Sequence, residues 1–328
     1  SPYNLADIFR KVAGVDHLAP EYALNRPAPE IRAVVRAELD RALAAIPEIT
    51  PQTPCRGLAA FQLGASDDRR RWPTGHFARL GEQLWRELGY IPVLLGAKSE
   101  QALADRFAQR AAGPFISLLG RTDLPALAAA LLETALLVTN DTGTMHLAAG
   151  LNVPVLAIFL ATAQPWDTGP YQEGMCCLEP DLACHPCPFD GKCRQHITPE
   201  AVFSLAQSKL THGAWAWPGG ESPARIWRTM RRSKTEDPAQ FMDLESLSGH
   251  ENQDRTQWLR LQRLLICQFL DQGHDLAAAP LNPGAQVFSL SPVMREAVAA
   301  ELAAAIGFLH LLREQGRALL LRPLPPLK

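Results

Sequence analysis

Between Gly57 and Phe159 the chain alternates two kinds of pattern. Short apolar runs (GLAAFQL, YIPVLLG, FISLL, ALLVTN and VPVLAIF) are 5 to 7 residues long. They are apolar at consecutive positions, as expected of strands buried on both faces. Between them lie stretches with helical spacing. In PTGHFARLGEQLWREL the apolar residues Phe77, Leu80, Leu84 and Leu88 recur at intervals of 3, 4 and 4, and EQALADRFAQRAA and DLPALAAALLET follow the same rhythm. Buried strands alternating with amphipathic helices predict an α/β fold, a Rossmann-like parallel sheet with helices on both faces. Further on, DRTQWLRLQRLLICQFLDQG and SPVMREAVAAELAAAIGFLHLLREQGRALLL read as long amphipathic helices. ARIWRTMRRSK, ahead of both, reads as a basic helix, either solvated or laid against an anionic membrane surface. The expected division is residues 1–54 as a connecting segment, 55–210 as the α/β domain and 211–328 as a helical extension.

In parallel sheets of this kind ligands bind beyond the carboxyl ends of the strands, and two such ends are unusual here. ALLVTN runs into Asp141, Thr142, Gly143 and, one turn on, His146. Asp141 or Thr142 would cap the next helix, Gly143 would let backbone or ligand approach, and the free N–H groups of the first turn would face an anion. A plain capped helix with a surface histidine is the competing reading. The first strand ends in Gly64, Ala65 and Ser66 and is followed by Arg69, Arg70 and Arg71. Small residues followed by cations suit a diphosphate, although an isolated arginine triplet is more often a solvated turn. Both segments falling at carboxyl ends of one sheet favours a shared anion site.

Composition adds limits. The chain has 328 residues, of which 47% are hydrophobic and 20% charged, with a formal net charge of -2. That is ordinary for a globular protein with a sizeable core, and it gives no global field for nucleic acid. The opening SPYNLADIFRKVAG lacks the apolar core of a secretory signal. AAAIGFLHLL (Ala303–Leu312) is shorter than the roughly 18 apolar residues of a membrane span. A cytoplasmic protein is expected. Of the seven cysteines, four crowd between Cys176 and Cys187. Cys184, Cys187 and Cys193 have partial zinc-ligand spacing, so this stretch is a structural zinc site, a set of reduced thiols or a labile disulfide.

Five segments in order, GAS….RRWP, NDTGTMHLAAGLNVPVLAIF, Pro165-Trp166, CHPCPFDGKC and ITPEAVF, resemble the glycosyltransferase family of the ADP-heptose:lipopolysaccharide heptosyltransferases. The resemblance spans residues 57–208. It implies the donor half of a GT-B fold, two Rossmann-like domains facing a cleft, and an inverting transfer that needs no metal or other cofactor. By motif, Ser66 and Arg70 would contact the donor diphosphate, and Asp141, Thr142, Gly143 and His146 would surround diphosphate and sugar. The family pattern G-A-E after the second strand is GAK here. Lys98 therefore stands where an acidic donor contact is expected, with Glu100 nearby. The implied partners are a nucleotide-sugar donor and a lipid-linked or polysaccharide acceptor, with peripheral contact at the inner membrane. NLADIFRKVAGV and APEIRAVVRAELDRALAAI resemble the end of an acceptor domain and the interdomain connection, so the catalytic base is expected in sequence preceding Ser1. A non-catalytic nucleotide-sugar-binding or scaffold module is the rival from another class, and a nucleotide-sugar epimerase the third reading.

Overall fold

The computed structural model describes residues 4–15, 22–187, 192–234, 237–271, 289–304 and 307. They fall into two compact units, residues 1–250 and 251–328. In the first unit, five of the predicted strands form as β1 Gly57–Gln62, β2 Tyr90–Leu95, β3 Ile116–Ser117, β4 Leu136–Asn140 and β5 Val155–Ile158. A sixth, β6 Cys176–Pro180, lies in the cysteine-rich region. With the hairpin β7 Ala224–Lys234 and β8 Asp237–Ser246, they make one eight-stranded sheet in the order β3-β2-β1-β4-β5-β6-β7-β8. The pairs from β3 through β6 are parallel, and β6–β7 and β7–β8 are antiparallel. The first six strands thus have the 3-2-1-4-5-6 order of a dinucleotide-type α/β domain, whose switch point lies between β1 and β4.

Helices cover the sheet where the periodicity placed them. After α1 Leu5–Val12 and α2 Pro29–Ala44 come α3 Thr74–Gln83, α4 Gln101–Ala108, α5 Leu124–Leu132, α6 Gly143–Gly150, the single turn α7 Pro165–Thr168 and α8 Pro199–His212. The predicted apolar stripe of α3 is buried at Phe77, Leu80, Leu84 and Leu88. Its last turn widens over Leu84–Leu88 and stops at Gly89, whose φ of 73° suits only a residue without a side chain. Phe61, Phe77, Phe107 and Trp72 meet edge-on or tilted in the core beneath α3 and α4. Each such fully buried ring contributes about 2–3 kcal/mol of hydrophobic stabilisation.

The stretch ARIWRTMRRSK departs from expectation. It is strand β7, not a basic helix, and so the sheet continues past residue 210 into the region expected to be helical. Its first half is buried at Ala224, Arg225, Ile226 and Trp227, on both faces at once. A helix would have left one side of that run in water, whereas a strand between β6 and β8 covers both. The arginines of its described side chains are engaged: Arg225 with Asp181 at 2.8 Å, Arg228 with Glu245, and Arg231 with Gln172 at 3.0 Å. In the second unit, α9 Asp254–Asp271 and a helix over residues 292–304 match the two long amphipathic patterns. The remainder of the second pattern lies outside the described residues. Among the described residues no helix is long and apolar enough to cross a membrane.

Candidate donor site at the switch point

Asn140, the last residue of β4, organises the switch point. Its buried amide donates to the carbonyls of Leu63 and Gly64 at 3.0 and 3.1 Å, and its Oδ1 accepts from the backbone N–H of Trp72 at 2.8 Å. One side chain thereby ties the end of β4 to the loop after β1. Trp72 is fully buried and donates from its indole to the Ile197 carbonyl at 2.8 Å. The segment ahead of α8 is fixed to the same loop. The polar residue next to the Asp-Thr-Gly cluster is therefore structural, a role that sequence reading did not assign to it.

Between Asn140 and Trp72 runs the loop carrying the arginine triplet, and the three cations have separate fates. Arg69 pairs with Asp67 at 2.6 Å, and its two nitrogens hold that carboxyl down to a pKa of about 2. Arg71 donates to the Ala65 carbonyl at 2.8 and 3.0 Å and pairs with Asp68. Arg70 alone reaches across the switch point: Nη1 lies 3.4 Å from Asp141 Oδ2, and Nη2 donates to Thr162 Oγ1 at 3.0 Å. Burial pushes the pKa of Asp141 up; Arg70 opposes that rise, nearby Asp167 adds to it, and a hydrogen bond from Thr168 lowers it.

The helix after Asp141 begins as expected, with the capping position resolved. Thr142 occupies it with extended backbone, yet its side chain makes no capping bond. Of the first-turn N–H groups of α6, that of Met145 turns back to the Thr142 carbonyl at 3.1 Å, which leaves those of Gly143 and Thr144 for an external acceptor. A Cβ added to Gly143 would meet no protein atom within 4 Å, and its φ is not left-handed. The protein's own geometry thus does not demand glycine there. His146 lies one turn in, half-buried, and burial lowers its pKa.

Beside the first turn of α6 opens a cavity of about 630 Å³, lined among others by Gln62, Ser66, Ala97, Glu100 and Thr144. A hydrogen-bonded chain crosses its floor. Thr144 donates to Gln62 Oε1 at 3.1 Å, Gln62 Nε2 donates to Glu100 Oε2 at 3.1 Å, and the Ala97 N–H donates to the same oxygen at 2.9 Å. Two glycines make room for this carboxylate, which would have to shift if either carried a side chain. A Cβ on Gly64 or Gly96 would stand 1.3 or 2.3 Å from the Glu100 carboxylate. Ser66 is on the cavity wall; Lys98 is exposed and not part of it, and Glu100 two residues on supplies the acidic group. The structure thus gathers Arg70, Asp141, Thr142 and Gly143 at one strand junction and Ser66 beside it, and leaves Lys98 outside.

The family model for glycosyltransferase family 9 (heptosyltransferase) matches residues 11–197. The chain belongs to this family. Lipooligosaccharide heptosyltransferase 2 of Haemophilus ducreyi is 36% identical over 107 residues, 31% of this chain and 30% of the relative. Lipopolysaccharide heptosyltransferase 1 of Pseudomonas aeruginosa is 32% identical over 165 residues, 50% of this chain and 44% of the relative. The chain thus spans less than half the length of these curated relatives. A crystal structure of a family 9 glycosyl transferase from Veillonella parvula superposes with a TM-score of 0.55 at 24% identity, covering 65% of this chain and 61% of that one. It shares the fold. In this family 9 member the cysteine-rich segment adjoins the switch point. Cys187 and Cys193 are buried and Cys184 is exposed. Among the described residues no group of three or more His, Cys, Asp or Glu side chains is placed to hold a metal ion, so the zinc expectation gains no support from their arrangement. What its described residues do contribute is hydrogen bonds to neighbouring carbonyls: the Cys187 backbone N–H donates to the Ala161 carbonyl at 2.8 Å, and Arg194 Nη1 donates to the Asp68 carbonyl at 3.1 Å. Ala161 itself has a φ of 56°, a left-handed conformation costing a residue with a Cβ roughly 1–2 kcal/mol.

Proposed function

We propose that this chain is the donor half of a heptosyltransferase, binding a nucleoside-diphosphate heptose, with ADP-heptose as the first candidate. The observation that supports it best is the convergence of Arg70 and the uncapped amino end of α6 at the β1–β4 switch point. Both present positive potential to one place, and a diphosphate is the group that needs it. In an inverting transfer the acceptor hydroxyl oxygen attacks the anomeric carbon as the bond from that carbon to the diphosphate oxygen breaks. The electron pair leaves with the nucleoside diphosphate, and the acceptor proton passes to a base that we place in the acceptor half of the whole enzyme. Arg70 and α6 would take up the charge growing on the leaving group, a task that divalent cations perform in other transferases, so we propose metal-independent transfer. Asp141 and His146 would face the sugar side, and Ser66 and Glu100 the nucleoside side.

The matched relatives are named for lipopolysaccharide and lipooligosaccharide heptosyl transfer, and we propose a glycan acceptor of that kind for the whole enzyme, reached from the cytoplasm. Membership of a transferase family favours this over a scaffold module. The paired arginines of β7 lend no support to peripheral membrane contact. Calorimetry of the chain with ADP and UDP, with and without a chelator, tests the donor site. Binding that survives chelation is expected. A folded chain that binds neither nucleotide would remove the assignment.

A further inference from the structure

Arg70 is long, about one-third exposed, and attached to a short loop, yet the proposed donor site needs its guanidinium in one place. Of its two contacts the one to Asp141 is long at 3.4 Å, and the one to Thr162 is the better made at 3.0 Å. Its Nε–H is buried with no acceptor among the described residues. The side chain is therefore held by its terminal nitrogens, and chiefly by one hydroxyl.

That hydroxyl is presented by a built turn. Directly after β5 the Ala163 N–H returns to the Leu160 carbonyl at 3.1 Å, closing four residues. Ala161 and Ala163 are buried and Thr162 between them is exposed. Ala161 takes the left-handed backbone that an alanine avoids. Its carbonyl is pinned by the Cys187 N–H from the cysteine-rich segment. The same segment reaches the arginine loop through Arg194 and the Asp68 carbonyl. Cys187 on the turn and Arg194 on the arginine loop thus brace both ends of the Arg70–Thr162 contact.

We infer that Thr162 is a positioning residue of the donor site. It holds Arg70 so that the guanidinium faces Asp141 and the start of α6 before a nucleoside diphosphate arrives. Cys187 and Arg194 serve as the two braces, one on the turn and one on the arginine loop. This rests on the donor-site reading above and adds a residue that no motif of the sequence singled out. Preorganisation of a flexible cation raises affinity by removing the ordering cost from the binding step.

The test is calorimetry with ADP on the full chain, using Thr162→Val, which keeps shape and loses the hydroxyl, and Thr162→Ser, which keeps it. Thr162→Val should weaken ADP roughly three- to tenfold with an unchanged melting temperature, and Thr162→Ser should bind as wild type. In an Arg70→Ala background Thr162→Val should cost nothing further, since the hydroxyl acts through that arginine. Wild-type affinity in Thr162→Val, while Arg70→Ala still weakens binding, overturns this inference alone. So does a loss that persists undiminished in the Arg70→Ala background. No ADP binding by the wild type overturns the donor-site reading and this inference with it.

Discussion

Asp141 shows how a residue's cost to the fold and its use to the site part company. Thr142, not Asp141, sits at the capping position of α6, and burial raises the Asp141 pKa. A raised carboxyl pKa means the native state binds protons more readily than the unfolded state, so the ionised form lowers stability above the unfolded value of about 3.9 and the loss vanishes as pH falls through it. Asp141→Asn should therefore be at least as stable as wild type in urea denaturation at neutral pH. It should also bind the donor sugar more weakly; a clear loss of stability would mean the carboxylate has a structural partner that outweighs its burial. His146 carries the opposite sign. Its pKa is lowered by burial, so it contributes stability above the unfolded pKa of about 6.5 that is lost as pH falls. A diphosphate beside the ring would favour the imidazolium. The Kd ratio of His146→Gln to wild type for ADP should accordingly rise between about pH 8 and pH 6. A ratio flat with pH would place His146 out of reach of the phosphates. Taking the difference between variants cancels the titration of the nucleotide itself.

At the scale of elements, the candidate site is a junction of β1 and β4 with α6, and most of that junction was legible. Non-alternating apolar runs identify buried parallel strands, and Asp141, Thr142, Gly143 and Arg70 follow from which residues lie at their ends. What could not be read was anything depending on a partner far along the chain. Asn140 bonds residues 76 and 77 positions away, and Thr162 meets Arg70 across 92; neither has a local signature. Lys98 was placed by motif register, but the turn over Lys98–Glu100 brings Glu100 round to the cavity instead. The helix itself offers a clean separation of fold from ligand. Because a Cβ on Gly143 meets only open space, Gly143→Val should change stability by no more than about 0.5 kcal/mol. A branched side chain would nevertheless stand between backbone N–H and phosphate, and ADP affinity should fall tenfold or more, the worth of roughly one charged hydrogen bond. Equal binding by this variant would move the diphosphate away from α6.

At the scale of the whole molecule, the β7–β8 hairpin was hidden because its arginines look like a solvated face until their partners on β6, β8 and the intervening loops are known. Asp7 on α1 is a similar case: it accepts from the Tyr171 hydroxyl at 2.5 Å and from the Met242 N–H at 3.0 Å, joining the start of the chain to the hairpin. The hairpin also turns β6 into an interior strand, and that has a chemical outcome. Cys176 and Cys177 are fully buried, and burial raises both thiols far above the ordinary value. The thiolate is the reactive form, so neither should react with maleimide or peroxide while the sheet is closed. Exposed Cys184 should label within minutes. Mass-resolved labelling at rising urea would then turn these two cysteines into a clock for separation of β6 from β7, slow in step with loss of the native sheet. Rapid modification of Cys177 in buffer alone would mean that this end of the sheet breathes without global unfolding.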